Sequence, residues 1–144
     1  MNMKTSAAAL ALLLILGPLG ARADMVVVTG ARSTIETLAR EDVVNIFMGR
    51  YRSFPNGQPA LPMERASDTP EYRRFYQSLL NKRPEEIHAY WARLRFSGRT
   101  EPPRLFPGSR EAYLREIAET PGAIGYTDRQ DLPRDMRVLL TLPE

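Results

Sequence analysis

The sequence predicts an α/β domain, a three-layer mixed sheet with flanking helices. Short apolar runs with strand character alternate with segments of helical periodicity, the mark of sheet-and-helix layering. A hairpin-like turn at Asn56-Gly57 argues for a mixed rather than a purely parallel sheet. The third observation is length, since about 120 residues suffice for one core and not for two.

Met25-Val-Val-Val, ended by Thr29-Gly30, reads as a strand buried on both faces. Ser33 to Glu36 has capping-box spacing and predicts a short turn of helix. A firmer helix covers Arg40 to Met48, with Glu41 and Asp42 in its first turn and Gly49 as its stop. Arg50 to Phe54 leads into Pro55-Asn56-Gly57, and Ala60 to Met63 returns as the next strand. After Thr69, Tyr72, Phe75, Tyr76, Leu79 and Leu80 fall on one helical face. Asn81 to Arg83 break that helix and Pro84 opens another, with Ile87, Tyr90, Trp91 and Leu94 facing inward. A proline-rich loop follows, and Ser109 caps a helix with Tyr113, Leu114, Ile117 and Ala118 on its core side. Ala123 to Tyr126 and Met136 to Leu142 are the last strands, making four strands and four helices.

Residues 1–23 read as a cleaved signal peptide, leaving 24–144 as the working domain. Lys4 is the positive start, Ala7 to Leu16 is an unbroken apolar run, and Ala21-Arg22-Ala23 has the small-x-small form of a cleavage site. Ten apolar residues fall short of the roughly 20 that span a bilayer. A soluble, periplasmic product is expected. Cleavage removes Lys4 and Arg22, so 18 basic side chains face 17 acidic ones and the net charge drops from +3 to +1. Nucleic acid is therefore not an expected partner. Arginine supplies all the remaining basic residues but Lys82, which suits bidentate anion contacts and equally reflects Arg-rich coding. Cysteine is absent, which excludes disulfides, thiol nucleophiles and thiolate metal sites.

Catalytic chemistry has little to work with. His88 is the only histidine and has no nearby acid on its helix except Glu85, so neither a triad nor a zinc site is expected. Glu41-Asp42 and Glu85-Glu86 fall in first helical turns, where the dipole favours acids. No glycine-rich phosphate loop occurs. The chain is expected to be no enzyme and to need no cofactor. Arg93, Arg95, Arg99 and Arg104 cluster around Phe96-Ser97-Gly98, either as a positive rim or as solvated loop residues.

Leu61 to Leu80 is the stretch with ligand-binding potential. A strand feeds a helix N-terminus through the polar loop Arg65 to Thr69, a geometry that can hold an anion. The same residues also make an ordinary cap, with Thr69 before Pro70.

Taken together, Met25-Val-Val-Val, the helix end Ile46-Phe-Met-Gly-Arg50, Phe54-Pro-Asn-Gly57, the Arg65 loop, the Phe75 helix and Pro121-Gly-Ala-Ile-Gly-Tyr126 resemble one lobe of the periplasmic phosphate-binding proteins of ABC transporters. That resemblance implies one lobe of a type II periplasmic binding protein fold. Trp91 with Phe96-Ser97-Gly98 further resembles a group of short, single-lobe relatives. The family loop reads Arg-x-x-x-Ser-Gly-Thr, with Phe after three more residues. Arg65, Thr69 and Phe75 match it, while Pro70 replaces the glycine and Glu71 the threonine. The resemblance implies phosphate or another small oxyanion held by Arg65, Thr69 and Ser67. Proline removes an N–H, and Glu71 with Asp68 brings negative charge to the anion's place. Two expectations follow: an exported solute-binding module with a degraded phosphate loop, or a ligand-free exported interaction or sensory-accessory domain. A single lobe offers half a cleft, which implies a second copy or a membrane-associated protein partner for tight binding.

Overall fold

Six consecutive buried residues, Met25–Gly30 (β1), form an inner strand of a five-stranded sheet. The computed structural model describes residues 24–98 and 100–143. The expected signal peptide and Arg99 lie outside the described residues. The remaining elements are α1 (Arg40–Phe47), β2 (Leu61–Glu64), α2 (Pro70–Leu80), α3 (Pro84–Leu94), β3 (Arg104–Leu105), α4 (Arg110–Glu119), β4 (Ala123–Asp128) and β5 (Met136–Leu142). Strand order is β3-β2-β4-β1-β5. β2 runs parallel to β3 and β4, whereas β1 is antiparallel to both β4 and β5.

Three layers result, because alternate β1 residues face opposite sides. Met25 and Val27 pack with Phe47, Phe75, Tyr76, Ile87 and Trp91, under α1, α2 and α3. Val26 and Val28 pack with Tyr113, Leu114 and Ile117 of α4. Gly30 lets α4 come this close, since a Cβ there would lie 2.7 Å from the Ala118 carbonyl oxygen.

Three expectations change. Ser33 to Glu36 is not helical: the Ser33 hydroxyl accepts from the Ile35 N–H at 3.1 Å and the segment stays extended. It lies along the outer edge of β5, where the Leu38 N–H donates to the Leu139 carbonyl. Arg137 holds it there, donating to the carbonyls of Ser33 (2.8 Å), Ile35 (3.0 Å) and Ala31 (3.3 Å). An open seven-residue edge would invite pairing with other chains, and this strap covers it. Replacing Arg137 with Met should cost about 1–2 kcal/mol and speed amide exchange at Leu38, read by hydrogen exchange. An unchanged rate would mean the strap holds without the guanidinium. Second, a fifth strand exists at Arg104–Leu105. Third, the hairpin-like turn at Asn56-Gly57 forms, with the Phe54 N–H donating to the Gln58 carbonyl, but it closes only an isolated Ser53–Pro59 bridge outside the sheet. The sheet is mixed because of β1 instead.

Candidate functional site: the loop between β2 and α2

The loop begins where two strands part. β2 and β4 pair at Leu61–Ala123 and Pro62–Ile124, then diverge. The Tyr113 hydroxyl fills the gap, donating to the Met63 carbonyl and accepting from the Tyr126 N–H, both at 3.0 Å. Gly125 leaves the space, since a Cβ there would lie 2.4 Å from that oxygen. One step on, the Tyr126 hydroxyl accepts from the Arg65 N–H at 3.0 Å. Phe75 stacks on the Tyr126 ring with centroids 4.1 Å apart, tying α2 to the same point. Two tyrosines thus replace a β ladder and set where the loop leaves the sheet. The loop sits at the C-terminal ends of β2 and β4, the usual ligand side of an open α/β sheet.

Within the loop, Thr69 is engaged from both directions. Its hydroxyl donates to the Ala66 carbonyl at 2.6 Å and accepts from the Tyr72 N–H at 3.3 Å, closing the cap of α2. Pro70 opens the helix without an N–H. Ser67 is half-buried and its hydroxyl makes no hydrogen bond among the described residues. Asp68 is exposed.

Arg65 turns inward. Its guanidinium lies 5.8 Å from the Tyr113 ring centre and donates to the Gly108 carbonyl at 3.3 Å. Its Nε is buried and has no hydrogen-bond partner among the described residues. Facing it is Glu71, whose carboxylate oxygen lies 3.8 Å from Arg65 Nη1 and 3.3 Å from Arg110 Nη1. The Glu71 side chain is 11% exposed. Arg110 also reaches Asp131 at 3.3 Å, and Arg74 pairs with Asp128, whose carboxyl is raised by burial against the pull of Arg74. Glu64, the last residue of β2, accepts from the Tyr76 hydroxyl at 2.8 Å. Burial pushes its carboxyl up to about 7, against the lowering effect of that hydrogen bond.

The structure therefore brings Arg65, Ser67 and Thr69 onto one loop and adds Arg110, Asp131, Arg74 and Asp128, which sequence reasoning missed. Arg110 carried a faint signal: it follows the Ser109 cap, so its charge sits in a first helical turn, where a cation is disfavoured without a tertiary partner. Arg110 and Asp131 also line a cleft of about 800 Å³ that follows α4 past Gly30, Leu114 and Met136. His88 is exposed, its ring 6.4 Å from Tyr72. Trp91 is core, and Glu86 caps α3 by accepting from the Arg83 N–H at 2.9 Å.

No family model matches the chain, and no curated protein is similar to it in sequence. Solved structures do match in fold. An ABC-type phosphate transport receptor from Vibrio cholerae superposes with a TM-score of 0.63 at 11% identity, over 83% of this chain and 46% of that one. PstS from Borrelia burgdorferi gives a TM-score of 0.60 at 17% identity, over 83% and 47%. A Clostridium perfringens structure with bound phosphate gives 0.59 at 14% identity, over 83% and 45%. The chain spans just under half the length of these proteins. Its fold is that of one lobe of a phosphate-binding protein of the ABC-transporter type, and the chain is a single-lobe structural relative of those receptors.

Proposed function

We propose that this chain is an exported, non-enzymatic interaction or sensory-accessory domain, built on a phosphate-binding lobe whose anion loop is filled from within. One observation carries the reading: the Glu71 carboxylate is buried between Arg65 and Arg110 at the start of α2. A free oxyanion at that place would meet a fixed negative charge a few ångströms away, in a partly dry site where such repulsion costs on the order of a few kcal/mol. Thr69 has no hydrogen-bonding capacity to spare for its donor role, because its proton already goes to Ala66. The domain then acts through contacts with a membrane-associated protein or a second copy, outside the cytoplasm.

Titration calorimetry with inorganic phosphate at low salt tests this. The parent protein should give no heat at millimolar phosphate, and Glu71→Thr with Pro70→Gly should create binding. Tight binding by the parent, unimproved by the double change, would defeat the reading. The small-anion-binding alternative, with Arg65, Ser67 and Thr69 as ligands, draws support from the unpartnered Arg65 Nε and the uncommitted Ser67 hydroxyl. Parent binding would establish it.

A further inference from the structure

α3 ends at Leu94 and runs on into a surface turn, Arg95 to Gly98, where the Ser97 N–H and the Ser97 hydroxyl both donate to the Leu94 carbonyl, at 2.9 and 2.7 Å. Phe96 is 96% exposed, far more than any other large apolar side chain among the described residues. A Cβ on Gly98 would meet nothing within 4 Å, so the tip projects into open space. Arg93 lies in the last turn of α3 and Arg95 just before Phe96, both exposed. Neither has an acidic partner among the described residues. The dipole of α3 favours Arg93 in its last turn, yet it does not account for the bare phenyl ring.

We propose that this tip is an interfacial anchor for an anionic lipid surface, with Phe96 entering the headgroup–acyl boundary and Arg93 and Arg95 contacting lipid phosphates. The area decides between a lipid and a protein partner. A phenyl ring followed by serine and glycine offers about 150–250 Å² of apolar surface, well below the roughly 800 Å² per partner of a stable protein interface. An interface between water and lipid needs no complementary surface: one inserted aromatic and a few cations add their contributions independently. Arginine stems also tolerate the boundary, since their apolar carbons can lie in it while the guanidinium stays at phosphate level. The inference is independent of the anion loop and holds whether or not Glu71 excludes phosphate.

Vesicle co-sedimentation tests it, using protein purified from expression of the full chain. Binding should occur with vesicles of phosphatidylcholine containing phosphatidylglycerol, weaken in high salt, and be absent with phosphatidylcholine alone. Phe96→Ser, a change at a solvent-exposed ring that leaves the fold intact by circular dichroism, should lower the partition coefficient about tenfold. Arg93→Ser with Arg95→Ser should lower it by a similar factor. No sedimentation with the anionic vesicles at low salt overturns the proposal. So does binding that Phe96→Ser leaves unchanged, or that polyglutamate competes away equally from the parent and the Phe96 variant, because the turn would then be a general cationic rim.

Discussion

Replacing Tyr113 with Phe is expected to destabilise the protein by about 2–5 kcal/mol, although it removes a single oxygen atom. That oxygen is fully buried and joins two strands that no longer reach each other. Without it, the Met63 carbonyl and the Tyr126 N–H face each other across a gap with no partner. Each such buried, unsatisfied group costs about 1–3 kcal/mol. A ring of unchanged shape keeps water from entering easily, so relaxation should recover little. Denaturant unfolding of the variant beside the parent reads the loss from the midpoint at constant slope. The exit of the Arg65 loop should loosen as well, raising amide exchange at Arg65, whose N–H depends on the neighbouring Tyr126. A loss under 1 kcal/mol would mean that the strands close over the gap, and that the tyrosine bridge is not what holds the fork. Gly125→Ala attacks the same point from the other side, by pushing a methyl group into the hydroxyl.

This fork also marks where sequence reasoning ends. Tyr113 was legible as a core residue because it falls on the apolar face of α4 with Leu114 and Ile117. Its hydroxyl was not, since nothing local reveals that β2 and β4 separate after two pairs. The same division runs through the fold. β1 and α2 could be read because their patterns are decided by burial on known faces. β3 could not, because both its residues are exposed and prolines flank it. Ser33 to Glu36 has genuine capping-box spacing, yet a guanidinium more than 100 residues away claims its carbonyls. Local propensity lost to a distant hydrogen-bond donor. In the site, Arg65, Thr69 and Glu71 share one short stretch and their opposition of charge was visible in it. Arg110 enters from 39 residues on, and only the tertiary fold sets it against Glu71.

The second large effect lies beside that loop, at Glu64, and it is a dependence on pH. The carboxyl titrates near 7 in the folded protein and near 4.5 when freely hydrated. The folded state therefore binds the proton more tightly than the unfolded state throughout that interval. Stability should fall as pH rises from about 4.5 to about 7, then level off, with a total loss on the order of 3 kcal/mol. Most carboxylates in ion pairs slope the other way, so the sign is diagnostic. Asp128, raised in the same direction by its burial, adds to the effect. The groups around Glu64 explain why burial wins: Tyr76 donates one hydrogen bond, which lowers the carboxyl only in part, and Tyr72, Tyr113 and Tyr126 stand nearby as neutral phenols. Their own ionisation is pushed upward by burial, with the Glu64 charge adding to it, so they stay protonated across the interval. Glu64→Gln keeps an oxygen to accept from Tyr76 and removes the titration. Its stability, measured by denaturant unfolding at a series of pH values, should follow a flatter line than the parent and exceed it above neutrality. If parent and variant keep the same slope between pH 4.5 and 7, the carboxyl is better hydrated than its place beneath α2 implies.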